Sequence, residues 1–276
     1  MSGEHNVAVL CATLGVSRSG YYAWWQRRAQ PCARAQENQA LLRQIRETFI
    51  ATDRRYGSPR LARELGCPGR RNRIARLMHE AGIWARQKSK YRVRTTDSRH
   101  GGPIAPNRLP EVRITGPDQA WGSDATCVLT GQGWLYVVVV LDLFSRRIVG
   151  WSMGAHLDAQ MMLDALQMAI KRRRPKPGLV VHSDRGAQYA SADYRQLLAC
   201  QGLIASMSRK GNCYDNAFVE SFWSSLKYET VYQHRFATRA EAKAALFDYI
   251  EAFYNRRRLH SSLGYVSPIT FESQLN

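Results

Sequence analysis

Three carboxylates in this chain, Asp124, Asp184 and Glu220, lie in local sequences that could position them for chemistry. Asp124 opens an apolar, strand-like stretch, Asp184 directly follows a short apolar strand, and Glu220 lies in a stretch with a helical pattern. Carboxylate oxygens are ligands that Mg²⁺ prefers in proteins. Two such ions about 3.5–4 Å apart can hold the attacking and leaving oxygens of a phosphodiester in line. The acids therefore predict metal-dependent chemistry on a phosphodiester.

A second feature is the strongly basic charge balance, with a formal net charge of +18. Residues 1–110 hold 21 Lys or Arg against 7 Asp or Glu, whereas residues 111–276 hold 19 against 15. Basic side chains that neutralise phosphates release counterions and so give salt-sensitive affinity for nucleic acid. We expect the first part of the chain to bind DNA; a solvated basic surface is the alternative.

The composition argues against a membrane-spanning protein and against a zinc site. The chain has no run of about 18 apolar residues that could cross a bilayer, and the longest apolar run, Trp134–Leu141, has the length of a strand. The six cysteines include no C-x-x-C pair and no His/Cys cluster with zinc spacing. We expect them to be reduced and structural.

The first part of the chain predicts two helix-turn-helix units. In the first, at about 5–28, Gly15 ends one helix and Ser17 can cap the next. In the second, at about 57–82, Pro59 suits the first turn of a helix. The next helix carries arginines largely off its apolar stripe, and we predict that they contact DNA, a solvated helix face being the alternative. These are Arg70, Arg71, Arg73 and Arg76.

The patterns divide the chain into three parts. Residues 1–83 form the helix-turn-helix region, 84–112 a basic linker with Gly and Pro and little periodicity, and 113–276 a catalytic core with a C-terminal helical extension. The core predicts strands near 120–129, 133–141, 146–153, 179–183 and 203–207, and helices near 158–172, 191–201, around Glu220 and near 238–255. Such an order predicts an α/β fold with a mixed sheet covered on both faces.

Several ordered motifs give the chain a resemblance to a known family. They are LGVSRSGYY at 14–22, RYGSPR at 55–60, DLFSR at 142–146, GNCYDNA at 211–217, YNRRRLH at 254–260 and GYVSP at 264–268, together with the runs around the three acids. Thirty-five residues separate Asp184 from Glu220. The chain resembles the integrase-core, second-reading-frame transposases of the insertion-sequence-three family, within the D-D-35-E superfamily of retroviral integrases. The resemblance covers nearly the whole chain.

This resemblance implies a ribonuclease-H-like catalytic core and a DNA transposase. It assigns Asp124, Asp184 and Glu220 as catalytic residues and as ligands of a two-metal Mg²⁺ site, at which Mn²⁺ would substitute. The implied reaction is strand cleavage at the element ends followed by strand transfer from a 3′-hydroxyl, without a covalent protein intermediate. Implied partners are double-stranded DNA of the ends and the target, further copies of the chain, and the upstream-frame protein, to which the chain would be fused by frameshifting. The expected location is the bacterial cytoplasm, on DNA.

Further DNA contacts are predicted near the catalytic acids. The family keeps a basic residue seven positions after the glutamate; here it is Lys227, two helical turns from Glu220 and on the same face. We expect Lys227 to touch the DNA backbone near the cleaved bond, a solvated lysine being the alternative. Arg258 and His260 are predicted to bind phosphate or, alternatively, to complete the packing behind the site.

Other polar and aromatic residues near the acids have alternative roles. Asp142 competes with Asp124 for the first position, and we interpret it as a structural or supporting acid. His182 either assists the site or is a satisfied core residue, and the pattern does not separate the two. Trp223 is expected to be a core residue rather than a platform for base stacking, and Asp215 to cap a helix.

Three other functions are weighed against the transposase. A DNA-binding regulator that keeps the fold without catalysis would have a degraded acid triad, and the triad here is intact. A structure-selective nuclease of the same fold would not need two helix-turn-helix units. A tyrosine recombinase would need an Arg/His-rich site around one tyrosine. The transposase is therefore the leading hypothesis.

Overall fold

The computed structural model describes residues 6–29, 32–85, 103–208 and 217–275. The chain divides into two compact units, residues 1–86 and 87–276. The basic residues of the predicted linker between 86 and 102 lie outside the described residues.

The first unit is helical, as predicted. Its helices are α1 (Val7–Thr13), α2 (Arg18–Ala29), α3 (Ala33–Ala51), α4 (Ser58–Glu64) and α5 (Arg71–Glu80). Gly15 ends the first helix in the left-handed conformation, with φ of 64°, which a residue without a Cβ adopts at little cost. The Ser17 hydroxyl accepts a hydrogen bond from the Gly20 N–H at 3.0 Å, and Pro59 lies in the first turn of α4.

The core of this unit is formed where α3 packs against α4 and α5. Ile45 of α3, Leu61 of α4 and Ile74 of α5 are fully buried. Helix α3, which precedes the second predicted helix-turn-helix unit, therefore shares one core with α4 and α5, because its apolar stripe packs against theirs.

The second unit is built on a five-stranded mixed sheet. Its strands are β1 (Ala120–Thr130), β2 (Gly133–Asp142), β3 (Ile148–Gly154), β4 (Val180–Ser183) and β5 (Ile204–Met207), in the order β3-β2-β1-β4-β5. The first three strands are antiparallel, whereas β4 runs parallel to β1 and β5 parallel to β4. Its helices are α6 (Ala159–Arg173), α7 (Ala192–Cys200), α8 (Ala217–Glu229), α9 (Arg239–Phe247) and α10 (Pro268–Ser273).

Helices cover both faces of this sheet. Val138 and Val140 of β2 pack in one core cluster with residues of α6 and α7. Successive strand residues point to opposite faces, and the alternate residues Val137 and Val139 are also fully buried. Helices α8 and α9 contact β1, and α9 also contacts β2. The predicted α/β fold, a ribonuclease-H-like mixed sheet preceded by a helical region, is confirmed.

The last long helix differs from its prediction. Instead of one regular amphipathic helix near 238–255, α9 continues as π-helical turns over Asp248–Tyr254. These turns bury Tyr249 and Tyr254. The Tyr254 ring meets the Phe222 ring of α8 edge-on, with centroids 4.8 Å apart, and the Tyr249 hydroxyl donates to Glu229 at 2.8 Å. The wider turns thus direct two buried tyrosines toward α8.

The end of the predicted linker belongs to the second unit and packs on its sheet. The Arg108 backbone N–H donates to the Ser206 hydroxyl at 2.9 Å, and Ala105 packs against the core cluster under the sheet. Within the described ranges, no helix combines the length and apolar character needed to cross a membrane.

Candidate active site

The sheet register brings Asp124 and Asp184 together. In the parallel pair of β1 and β4, Gly122 pairs with His182, so extending this register by two residues sets Asp184, just past the end of β4, beside Asp124. Adjacent strands lie roughly 4.8 Å apart. Burial and then the charges of Asp184 and Asp124 raise the pKa of the buried Tyr189 hydroxyl well above its usual value. This hydroxyl therefore lies near both acids.

Both oxygens of the Asp124 carboxylate accept hydrogen bonds. Oδ1 accepts from the Ala125 N–H at 2.8 Å, and Oδ2 accepts from the Trp223 indole N–H at 3.0 Å. Burial, the Asp184 charge and, as a smaller influence, the Glu220 charge raise the pKa of Asp124 to about 7, although both hydrogen bonds oppose the shift. Desolvation and neighbouring negative charge both disfavour a carboxylate. Burial is thus the main cause of the shift, and the charges of the two neighbouring acids add to it.

Glu220 lies not on the sheet but on helix α8. It is exposed in the first turn of α8, and α8 packs on β1. Among the described residues, however, no three His, Cys, Asp or Glu side chains lie close enough together to hold a metal ion. The structure therefore joins the two aspartates and sets Glu220 within electrostatic reach of Asp124. The predicted helix cap Asp215 lies outside the described residues.

Helix α8 is held at both ends. In its first turn the Phe218 ring lies under the Arg146 guanidinium, 3.8 Å from ring centroid to the guanidinium carbon. At its last residue, buried Glu229 accepts from the Arg258 guanidinium at 2.7 Å and 2.9 Å. The helix that carries Glu220 is thus fixed to two separate segments of the second unit.

Lys227 lies farther along the same helix and is half-buried. Burial raises the pKa of the Cys127 thiol in β1, and the nearby Lys227 charge opposes this shift. Lys227 therefore lies near β1, the strand that carries Asp124. Its predicted DNA contact stays a prediction.

The structure separates the open alternatives for Asp142 and His182. The fully buried Asp142 carboxylate accepts hydrogen bonds from the backbone N–H groups of Asp118, Phe144 and Ser145, which makes it the organiser of the turn after β2. The buried His182 ring bonds to the hydroxyls of Ser206 and Ser208 through its two nitrogens, at 2.8 Å and 3.1 Å. Both residues therefore have structural roles.

Arg258 and His260 are a correction to the predicted DNA contacts. They are only 6% and 8% exposed, and Arg258 directs its guanidinium to Glu229 and to the Ser225 hydroxyl. The Arg258 guanidinium is thus turned toward an internal carboxylate, and the His260 ring packs edge-on against Tyr254 with centroids 4.8 Å apart, so the packing alternative describes this pair in the structure.

The predicted arginines in α5 and at Arg70, just before it, differ among themselves. Arg73 donates to Asn38 at 2.8 Å and to Glu37 at 3.0 Å, both in α3, and so fastens two helices together. Arg70, Arg71 and Arg76 are exposed, while Ile74 is buried on the opposite stripe. The exposed three remain candidates for phosphate contact.

Trp223 was predicted only as a core residue, and the structure adds a hydrogen bond to one of the candidate acids. It is buried, as expected for a core residue, but its indole N–H also reaches Asp124. Its spacing of three positions after Glu220 was the available signal, since such residues share a helix face. The acceptor could not be known without the register of β1 under α8.

Comparisons with known proteins agree with this architecture. Family models described as "Integrase core domain" match residues 114–213 and 201–268, and one described as "HTH-like domain" matches residues 36–91. The chain is 45% identical over 269 residues to the 31 kDa protein of insertion element IS600 from Shigella sonnei, covering 96% of this chain and 98% of that protein. It is 42% identical over 275 residues to the transposase InsF for insertion sequence IS3A from Escherichia coli, covering 98% and 95%.

Among solved structures, the chain is similar to the integrase catalytic core domain of HTLV-2 in complex with magnesium. The TM-score is 0.45 and the identity 15%, and the match covers 58% of this chain and 99% of that one.

Proposed function

The chain belongs to the transposases of IS3-type insertion sequences and acts in DNA transposition, and we propose that Asp124, Asp184 and Glu220 are its catalytic, metal-binding acids. The sheet register that sets Asp184 beside Asp124, with α8 packed on the same strand, carries this proposal. Burial first, then the charge of Asp184 and more weakly that of Glu220, raises the pKa of Asp124 to about 7. Such a cluster of like charges is unfavourable without a cation.

The donor set fits a divalent metal. Carboxylate oxygens suit Mg²⁺, and we expect Mn²⁺ to substitute. Asp124 and Asp184 would hold the cations of a two-metal site, and Glu220 would join them from α8 if it came closer than it lies in this structure. When bound, the cations supply nucleophile activation and stabilise the charge that develops on the leaving oxygen.

The protein's own residues position the substrate and leave the nucleophile to water or a DNA 3′-hydroxyl. Lys227, near β1, would hold a phosphate close to the cleaved bond. Tyr189 lies near the aspartates, but it is buried and its hydroxyl is hydrogen-bonded to the Ser123 hydroxyl at 3.0 Å. Burial and the two aspartate charges raise its pKa. It therefore stays protonated, which disfavours a covalent tyrosine intermediate.

The first part of the chain, residues 1–110, would supply most of the DNA affinity. Residues 1–110 hold most of the excess positive charge, and exposed Arg70, Arg71 and Arg76 lie within the helix-turn-helix-like match. We propose duplex DNA of the element ends and the target as partners. Strand transfer at paired ends implies several copies of the chain, acting on DNA in the bacterial cytoplasm.

The test replaces each acid by its amide and measures cleavage and joining of labelled end DNA with Mg²⁺. Asp124→Asn, Asp184→Asn and Glu220→Gln should each lose several orders of magnitude in rate, because charge stabilisation and nucleophile activation are lost together. Gel-shift affinity for DNA should be largely unchanged. Asp164→Asn, at an exposed acid of α6, is the matched control and should keep wild-type rates.

Near-normal strand transfer by the Glu220→Gln protein would remove Glu220 from the site. A wild-type protein that binds end DNA but neither nicks nor joins it would instead favour the catalytically silent regulator of transposition.

A further inference from the structure

One hydrogen bond joins the helix of Glu220 to the strand of Asp124. Trp223 lies three residues after Glu220 on α8 and is only 6% exposed. Its indole nitrogen is 3.0 Å from Asp124 Oδ2. A single side chain thus connects two of the elements that carry the candidate metal ligands.

The bond leaves the Asp124 carboxylate little freedom. Its other oxygen, Oδ1, already accepts from the Ala125 N–H, so a donor on each oxygen fixes the plane of the carboxylate. Each oxygen keeps a further lone pair for another partner. The indole itself is held, because its ring packs against Phe222 with centroids 5.0 Å apart.

The simplest alternative is that Trp223 only fills space and its N–H takes a convenient acceptor. Buried indole N–H groups usually find a partner, and two other tryptophans of this chain also donate to carboxylates. Trp121 donates to Asp118 at 3.1 Å, and Trp151 donates to Glu251 at 2.7 Å. Neither of those acids belongs to the candidate site, so these bonds show what a purely structural indole bond looks like.

We propose that Trp223 is a positioning residue that orients the Asp124 carboxylate for cation binding and couples α8 to β1. The inference rests on the proposed function, since it takes Asp124 as a ligand. Outer partners that orient ligating side chains typically contribute about 10–100-fold to metal affinity or activity. Loss of the indole N–H should therefore weaken cation binding even where the fold is intact.

The test compares Trp223→Phe with Trp151→Phe in the full chain. Both substitutions keep an aromatic ring and remove an indole N–H that donates to a carboxylate. Mn²⁺ affinity is measured by electron paramagnetic resonance, alongside melting midpoints without metal and strand-transfer rates over a range of Mn²⁺ concentrations. We expect Trp223→Phe to bind Mn²⁺ roughly 10-fold more weakly, with strand transfer partly restored at high Mn²⁺. Trp151→Phe should bind Mn²⁺ like the wild type.

Wild-type Mn²⁺ affinity in the Trp223→Phe protein, or an equal loss in both variants, would overturn the proposal. Asp124→Asn is measured in parallel. If Asp124→Asn also keeps wild-type affinity, the proposed function fails at this ligand; if only Trp223→Phe does, the positioning role alone fails. Should Trp223→Phe not fold, benzothienylalanine at this position removes the N–H while keeping the shape of the indole, and the same outcomes apply.

Discussion

At the scale of single residues, the ionisation of Asp124 makes the stability of the metal-free protein depend on pH. Burial and neighbouring acids raise its pKa to about 7, whereas an unfolded chain would ionise it near the ordinary value of about 3.9. Between these values the folded state binds more protons than the unfolded state. The stabilising contribution is therefore present below about pH 4 and is lost as the pH rises through about 7.

We accordingly expect Asp124 to make the metal-free protein less stable at pH 8 than at pH 5. One unit of pKa shift corresponds to about 1.4 kcal/mol, so the melting midpoint should differ by at least a few degrees. Melting in EDTA at pH 5, 6, 7 and 8 measures the trend. The Asp124→Asn variant lacks the contribution of this carboxyl to the pH dependence. The difference in melting midpoint between wild type and variant therefore separates that contribution from those of other acids such as Asp142. A difference that does not change with pH would show that Asp124 ionises normally.

Residue types and motifs predicted the three acids, but not the partners of individual atoms. Asp142 and Asp124 are both acids near apolar strands. Only the structure of the turn after β2 shows that Asp142 is the one whose carboxylate accepts three backbone N–H groups. Arg258 and Lys227 are both basic residues near the site. Burial against Glu229 distinguishes Arg258, and burial depends on contacts distant in the sequence.

At the scale of elements, the position of α8 depends on the buried pair of Glu229 and Arg258. Removing one partner of a buried ion pair leaves an uncompensated charge and typically costs about 3–5 kcal/mol. Arg258→Ala should therefore destabilise the second unit by about that amount. Denaturant unfolding followed by circular dichroism measures this, and Arg256→Ala, at an exposed neighbour in the same run, should change stability little.

This prediction also decides between the two roles considered for Arg258. Wild-type stability combined with weakened DNA binding would return Arg258 to the phosphate-contact role.

The strands and most helices were predictable because their apolar periodicity is local. The π-helical turns after α9 were not, since they arise where Tyr249 and Tyr254 reach Glu229 and Phe222 of another helix. A regular helix and a π-helix share nearly the same local sequence preferences, so the choice is made by packing.

At the scale of the whole molecule, composition predicted a basic first part and a catalytic second part, and the chain has two compact units. Composition did not show where the second unit begins. Residues assigned to the linker by their Gly and Pro content include 103–112, and within this stretch the Arg108 N–H contacts β5 and Ala105 contacts the core cluster. A cut after residue 110 would remove those contacts, whereas a cut after residue 102 keeps them.

Removing residues 1–102 should therefore leave a folded catalytic unit with poor DNA targeting. The sheet, the three acids and the contacts of Arg108 all remain. Circular dichroism should therefore show a folded mixed α/β unit with less helix than the full chain, and Mn²⁺ affinity should match that of the full chain. Most of the positive charge excess is lost with the helix-turn-helix-like region, so affinity for end DNA should fall steeply and salt dependence should become shallower, because fewer phosphates are neutralised. Gel shifts on end and scrambled DNA at two salt concentrations measure this.

The fragment 111–276 is the matched control: it should be less stable than 103–276 while lacking the same targeting region. If 103–276 binds end DNA as tightly and selectively as the full chain, recognition lies in the catalytic unit, and the proposed division of labour between the units is wrong.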